Sequence, residues 1–130
     1  MRRILTAVAV VFVTLMFTVG TAVAQDPLKV GPTIYKKLLE NDRVRILEVT
    51  FAPGDSIAMH SHPDHAVYTV TGGTLRVTTS DGKTMVADLK AGDPIWFPAV
   101  IHAAKNIGAT SLKLVVVELK EKPPTPKKEK

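Results

Sequence analysis

Residues 54–72 read GDSIAMHSHPDHAVYTVTG, and three of the chain's four histidines fall inside this stretch, as His60, His62 and His65. Pro53-Gly54-Asp55 is a turn signal. Ser56 to His60 follows as a short strand candidate, and Ala66 to Thr71 is a second one, rich in Val, Tyr and Thr. On a strand, residues two apart point the same way, so His60 and His62 project from one face. Apolar Met59, Val67 and Tyr68 flank them. Two imidazoles held that close in an apolar setting are poorly solvated when charged. Neutral rings sharing a metal ion resolve the conflict. A polar loop with exposed histidines is the plainer alternative, and the spacing argues against it.

Outward from this stretch the chain reads as strands broken by turns. Upstream, Val44, Ile46, Leu47, Val49 and Phe51 form a strand that ends at Pro53. Downstream, Gly72-Gly73 marks a turn or bulge, and Thr74 to Thr79 alternates Leu75 and Val77 with Arg76 and Thr78. Asp81-Gly82 is a hairpin signal, after which Thr84 to Leu89 returns. Ala91-Gly92-Asp93 turns again before a short apolar run from Pro94 to Phe97. His102 to Asn106 and Leu112 to Leu119 complete the set. Eight or nine short strands at close spacing, with no sustained helical period, predict an all-β sandwich or barrel. Thr33 to Asn41 fits a strand or a short helical turn equally well, and Gln25 to Gly31 reads as an irregular lead-in.

The ends differ from this body. Met1-Arg2-Arg3 is followed by an uncharged run from Ile4 to Val19, then Gly20 and the small residues Ala22 and Ala24. This is the order of a secretory signal peptide over residues 1–24, cleaved before Gln25. The apolar run is short for a membrane span, which needs about 20 residues, so the expectation is an exported, periplasmic or secreted protein without stable membrane insertion after cleavage. Residues 120–130 are rich in Lys and Pro with no apolar anchor, and read as a disordered tail.

The formal charge of +5 lies at these two ends; Gln25 to Leu119 holds ten basic and ten acidic residues. A neutral body gives no warrant for nucleic-acid binding. Cysteine is absent, which excludes zinc–thiolate sites, cysteine nucleophiles and disulfide staples. No glycine-rich nucleotide loop, serine nucleophile motif or paired carboxylates can be found, and Asp64 is the one acid close in sequence to the histidines.

Gly54, five residues, His60-Ser61-His62 and a Val-Tyr-rich strand ending at Gly72 resemble the first motif of the cupins. Gly92, five residues, Pro98, then His102 and Asn106 resemble the second. The resemblance covers about Arg43 to Leu119. It implies a single-domain cupin β-barrel, the jelly-roll-like double-stranded β-helix, over residues 43–119 behind a lead-in over 25–42. It also implies one divalent transition metal (Fe, Zn, Mn, Ni or Cu) on His60, His62 and His102, a small-molecule ligand or substrate, and a homodimer. The family's glutamate ligand is missing; its position holds His65, or Ala66 on the alternative alignment. His65 as a fourth nitrogen, Asp64 as a substitute, and a site of three protein ligands all stay open. Val100 stands where the motif has glycine, and the Pro98–His102 spacing is one residue short, so the turn before His102 differs.

Beyond the histidines, Asp64, Tyr68, Trp96 and Asn106 are candidate pocket or supporting residues, and Trp96, Phe97, Phe51 and Met85 could line an apolar pocket. Arg45 and Arg76 are expected to face solvent. Members of this family range from dioxygenases to storage proteins, so a dioxygenase-type enzyme and a non-catalytic metal- or ligand-binding module both remain open.

Overall fold

The computed structural model describes residues 25–121. The expected signal peptide and nearly all of the tail lie outside these residues. After a four-residue helix α1 (Pro27–Val30) come nine strands: β1 (Tyr35–Glu40), β2 (Val44–Phe51), β3 (Ser56–His62), β4 (His65–Thr71), β5 (Gly73–Thr79), β6 (Thr84–Leu89), β7 (Pro94–Phe97), β8 (Val100–Asn106) and β9 (Leu112–Leu119). They form two antiparallel sheets, ordered β1-β2-β9-β4-β7 and β3-β8-β5-β6. This is the all-β double-stranded β-helix expected from the turn spacing and the resemblance.

Alternation builds the core between the sheets. Leu47, Val49 and Phe51 of β2 face Leu112, Leu114 and Val116 of β9, with Ile57, Val67, Leu75 and Ala104 closing the interior. The ambiguous stretch at Thr33–Asn41 is a strand, with Tyr35 paired to Val49 and Glu40 to Arg45. The helical turn falls earlier, in the supposed irregular lead-in. Pro27 starts α1, and the Asp26 carboxylate caps it by accepting from the Leu28 amide at 2.8 Å.

The short candidate strand at Ser56–His60 runs on to His62, and its alternation is broken on purpose. Ile57 pairs with Ala104 and His60 with His102, so β3 spends one more residue than β8 over this step. That β-bulge lets Ile57, His60 and His62 all face inward although Ile57 and His60 are three apart.

Asp81-Gly82 turns β5 into β6 as its sequence predicts. Gly82 has φ of 83°, and nothing would lie within 4 Å of an added Cβ. A Gly82→Ala variant should therefore lose about 1 kcal/mol from backbone conformation alone, read as a small drop in the urea midpoint. Among the described residues no helix is long and apolar enough to cross a membrane.

Candidate metal centre

The bulge and the pairing of β3 with β8 bring the histidines together. His60 lies directly across from His102 in the register, so the shortened Pro98–His102 spacing does not displace that ring. One nitrogen from each of His60, His62 and His102 falls within a group whose atoms all lie within 4.8 Å of one another. The Nε2 atoms of His60 and His62 are 3.1 Å apart. His60 and His62 are buried and His102 is half-buried.

The outer nitrogens fix which ring atoms are free. His60 Nδ1 lies 2.8 Å from the Ala58 carbonyl, inside the bulge, and His65 Nδ1 lies 2.7 Å from the Pro63 carbonyl. A carbonyl oxygen can only accept, so both Nδ1 atoms carry the hydrogen. His62 Nδ1 lies 2.6 Å from Glu118 Oε1. The inner Nε2 atoms of His60 and His62 then face each other as lone pairs; the Tyr35 hydroxyl can donate to one of them, and a shared proton or a cation satisfies both. Among the described residues His102 Nε2 is buried with no hydrogen-bond partner. Outer nitrogens anchored to carbonyl or carboxylate, with inner nitrogens bare and convergent, are what a metal site requires. The donor set fits a divalent transition ion, with imidazole nitrogens as its ligands.

His65 is brought close but arranged differently. Its ring centroid lies 4.8 Å from that of His62, and the ring stacks on Phe97 at 5.4 Å and 21°. It stands outside the three-nitrogen group and forms a wall beside it. Asp64 does not approach: its carboxylate accepts from the Ala99 amide at 2.8 Å in an exposed turn. The other candidates divide by strand face. Tyr68 and Trp96 point outward from β4 and β7 and are half exposed or more. Asn106 is buried, but its amide serves backbone: Nδ2 donates to the Phe51 and Thr110 carbonyls, and Oδ1 accepts from Gly108. Arg76 faces solvent, whereas Arg45 does not. Arg45 shares the inward face of β2 with Leu47, Val49 and Phe51, and its side chain is only 14% exposed.

Three functional residues were not legible as such. Glu118 on β9 stands across from His65 in the register. One oxygen accepts from His62; the other accepts from Arg45 Nε at 2.6 Å, and Arg45 in turn holds Asp26 at 2.6 Å. Burial raises the Glu118 pKa, but the hydrogen bonds from His62 and Arg45 outweigh it and hold the carboxyl below its usual range. Tyr35, the first residue of β1, places its hydroxyl 3.4 Å from Nε2 of both His60 and His62. Burial and the Glu118 charge raise its pKa, so the phenol keeps its proton. Asp26 anchors the chain of charges from the far side. In sequence, these residues lie up to 58 positions from His60 and share no motif with it.

Burial first, then the neighbouring imidazoles, push His60 down to about 4 and His102 to about 3; burial also lowers His65. The sign of the pH effect follows. Below the ordinary imidazole value of about 6.5 the unfolded chain binds protons that the folded chain refuses. The metal-free protein is thus most stable above that pH and loses stability as pH falls toward the folded values. The depressed Glu118 acts in the same direction. A loss of about 2 kcal/mol for each of His60 and His102 between pH 7 and pH 5, about 4 kcal/mol together, is expected at roughly 1.4 kcal/mol per unit of depression, read by urea unfolding of chelator-treated protein; an unchanged midpoint would contradict it.

Against the site lies a cavity between the two sheets, about 90 Å³ as space for water-sized groups and about 650 Å³ when all free space out to open solvent is counted. His62, His65, His102 and Tyr35 form one end of it. The remaining lining is apolar, and includes Phe51, Phe97 and Met85 as the sequence suggested.

Fold and site together define a small double-stranded β-helix with a buried histidine cluster between its sheets. Residues 47–118 match the cupin-domain family Cupin_2, and the chain belongs to that family. Among solved structures it is similar to a cupin domain from Bordetella pertussis Tohama I, at 30% identity over 68% of this chain and 93% of that one, with a TM-score of 0.63. It also resembles a cupin superfamily protein from Desulfitobacterium hafniense DCB-2, at 27% identity over 68% and 77%, TM-score 0.53. A third likeness is to the polyketide cyclase RemF from Streptomyces resistomycificus, at 25% identity over 69% and 66%, TM-score 0.52. No curated protein matches the chain.

Proposed function

We propose that this chain is an exported cupin that binds one divalent transition metal on His60, His62 and His102 and uses it on a small molecule admitted to the adjoining cavity. The observation that carries the reading is the pair of facing Nε2 atoms of His60 and His62 beside the orphaned, buried Nε2 of His102. A bound metal would supply Lewis acidity and, in a redox-active form, dioxygen chemistry. The chain's own residues do the rest. Glu118 and the carbonyls of Ala58 and Pro63 orient the imidazoles. Tyr35, kept protonated, offers one hydrogen bond to a group held near the ligand nitrogens. The apolar walls exclude water. RemF, a relative in fold, is a cyclase of polyketides, which agrees with a small-molecule substrate. His65 takes the role of a fourth ligand or of a flanking wall, and metal affinity of a His65→Ala variant separates the two.

Export rests on the sequence of residues 1–24, and N-terminal sequencing of the secreted or periplasmic protein tests it by finding Gln25 first. For the chemistry, the purified protein is loaded with Fe(II), Mn(II), Ni(II), Cu(II) or Zn(II), and oxygen uptake is followed with diketones, thiols and phenols. Turnover with one metal supports the enzyme. A second reading, a structural metal in a binding module, is favoured by the ligands' placement on paired strands β3 and β8, where an ion staples one to the other. Unfolding on chelation without turnover under any metal supports that reading.

A further inference from the structure

We infer that the ligand of this site is a small molecule with an apolar body and a single oxygen-bearing head, and that it is neither a polyol nor a polyanion. The inference deepens the metal-site reading by naming what lies beside the histidines. It is carried by the cavity lining rather than by the metal.

Sixteen residues line the cavity, and none is Lys, Arg, Asp, Glu, Asn, Gln, Ser or Thr. Every polar group in the lining comes from Tyr35, His62, His65 or His102, gathered at one end. The charged residues nearest the site are already engaged: Glu118 by His62 and Arg45, and Arg45 by Glu118 and Asp26. A sugar or a phosphate ester buried here would lose its water and find no partner for most of its oxygens, which is costly for each unpaired group. A ring or branched hydrocarbon would instead gain the burial of its apolar surface. Only a group at the histidine end could be hydrogen-bonded or coordinated. The chemistry therefore sorts along the cavity, with the head at the imidazoles and Tyr35 and the body among Leu75, Val77, Leu114 and Val116.

The fold also shows where such a molecule enters. β6 and β7 are the free edges of the two sheets, and they do not pair with each other. At the opposite side α1 packs on β3 and β1 and covers that opening. Met85 and Ala87 of β6 line the cavity, and Met85 is 55% exposed. Met85 is the one exposed residue of the lining, which points to an entrance at the β6 edge beside it.

The test uses the purified protein after chelator treatment, with N-phenyl-1-naphthylamine as a neutral apolar probe whose fluorescence rises on leaving water. Saturable one-to-one binding is expected. Met85→Asp places a charge at an exposed mouth position, where folding is not at stake, and Ala87→Trp fills the cavity. Each should weaken the probe by about tenfold or more, the effect of roughly 1.4 kcal/mol, while one metal per chain is still taken up. 2-Naphthol should displace the probe, and glucose 6-phosphate should not. Absence of one-to-one binding, unchanged affinity in both variants, or displacement by the sugar phosphate overturns the inference. Metal titration of the same samples keeps the two readings apart. Probe binding without metal uptake sinks the metal site alone, and metal uptake without probe binding sinks the ligand class alone.

Discussion

A chain carrying His60→Ala and His62→Ala together should take up no metal, where the unaltered protein should take up one ion per chain. Both rings contribute Nε2 to the same small volume, and their separation of 3.1 Å leaves no room for separate ions. Removing both leaves His102 as the sole member of the three-nitrogen group, and one imidazole does not hold an ion against water. His102→Ala alone should weaken the site strongly without abolishing it, since the β3 pair persists. Elemental analysis after dialysis, together with thermal melting with and without added metal, reads the result. In the unaltered protein metal should raise the melting temperature by mass action; in the double variant it should not. Stoichiometric metal retained by the double variant would place the ion elsewhere.

Glu118 should give the largest stability loss among polar substitutions in this site. It is 2% exposed and bridges two cationic or proton-donating partners, His62 and Arg45. Truncation to Ala leaves Arg45 largely buried with Asp26 as its remaining acid, and leaves His62 Nδ1–H without an acceptor. Breaking a buried pair from one side costs about 3–5 kcal/mol. The same change frees the His62 ring to rotate, so metal affinity should fall by about 10- to 100-fold, the usual consequence of losing a ligand's supporting partner. Glu118→Gln separates the two effects. Its amide oxygen can still accept from His62, so much of the metal affinity should survive, while the lost charge opposite Arg45 still lowers the unfolding midpoint. If Glu118→Ala kept both its midpoint and its metal affinity, the network would be ornamental. Chemical denaturation and metal titration of the three proteins decide this.

How much of this was written in the chain depends on the range of the interaction. The turns at Gly54, Gly82 and Gly92 are local: each adopts positive φ, and each was legible as a Gly beside Asp. The strands between them followed from alternating apolar residues, and β9 runs from Leu112 to Leu119 as expected. The clustered histidines His60, His62 and His102 could be named because imidazoles two apart on a strand share a face and because two motifs stand in cupin order. Local pattern failed where alternation was interrupted. The bulge at Ala58–Met59 is invisible in composition, yet it turns Ile57 and His60 to the same side and frees the carbonyl that anchors His60.

The amino-acid order alone specified a β-rich chain of short strands, a cluster of histidines and a body without net charge. These rest on residue type and on neighbours a few positions away. The tertiary structure alone decided which acid serves the histidines. Asp64 stands two residues from His62 and turns outward to an amide. Glu118 stands 56 residues away and arrives through the pairing of β9 with β4. Strand pairing joins residues by register and not by separation along the chain. For that reason the histidines were legible one by one, whereas the Asp26–Arg45–Glu118–His62 network and the Tyr35 hydroxyl became visible only once both sheets were assembled.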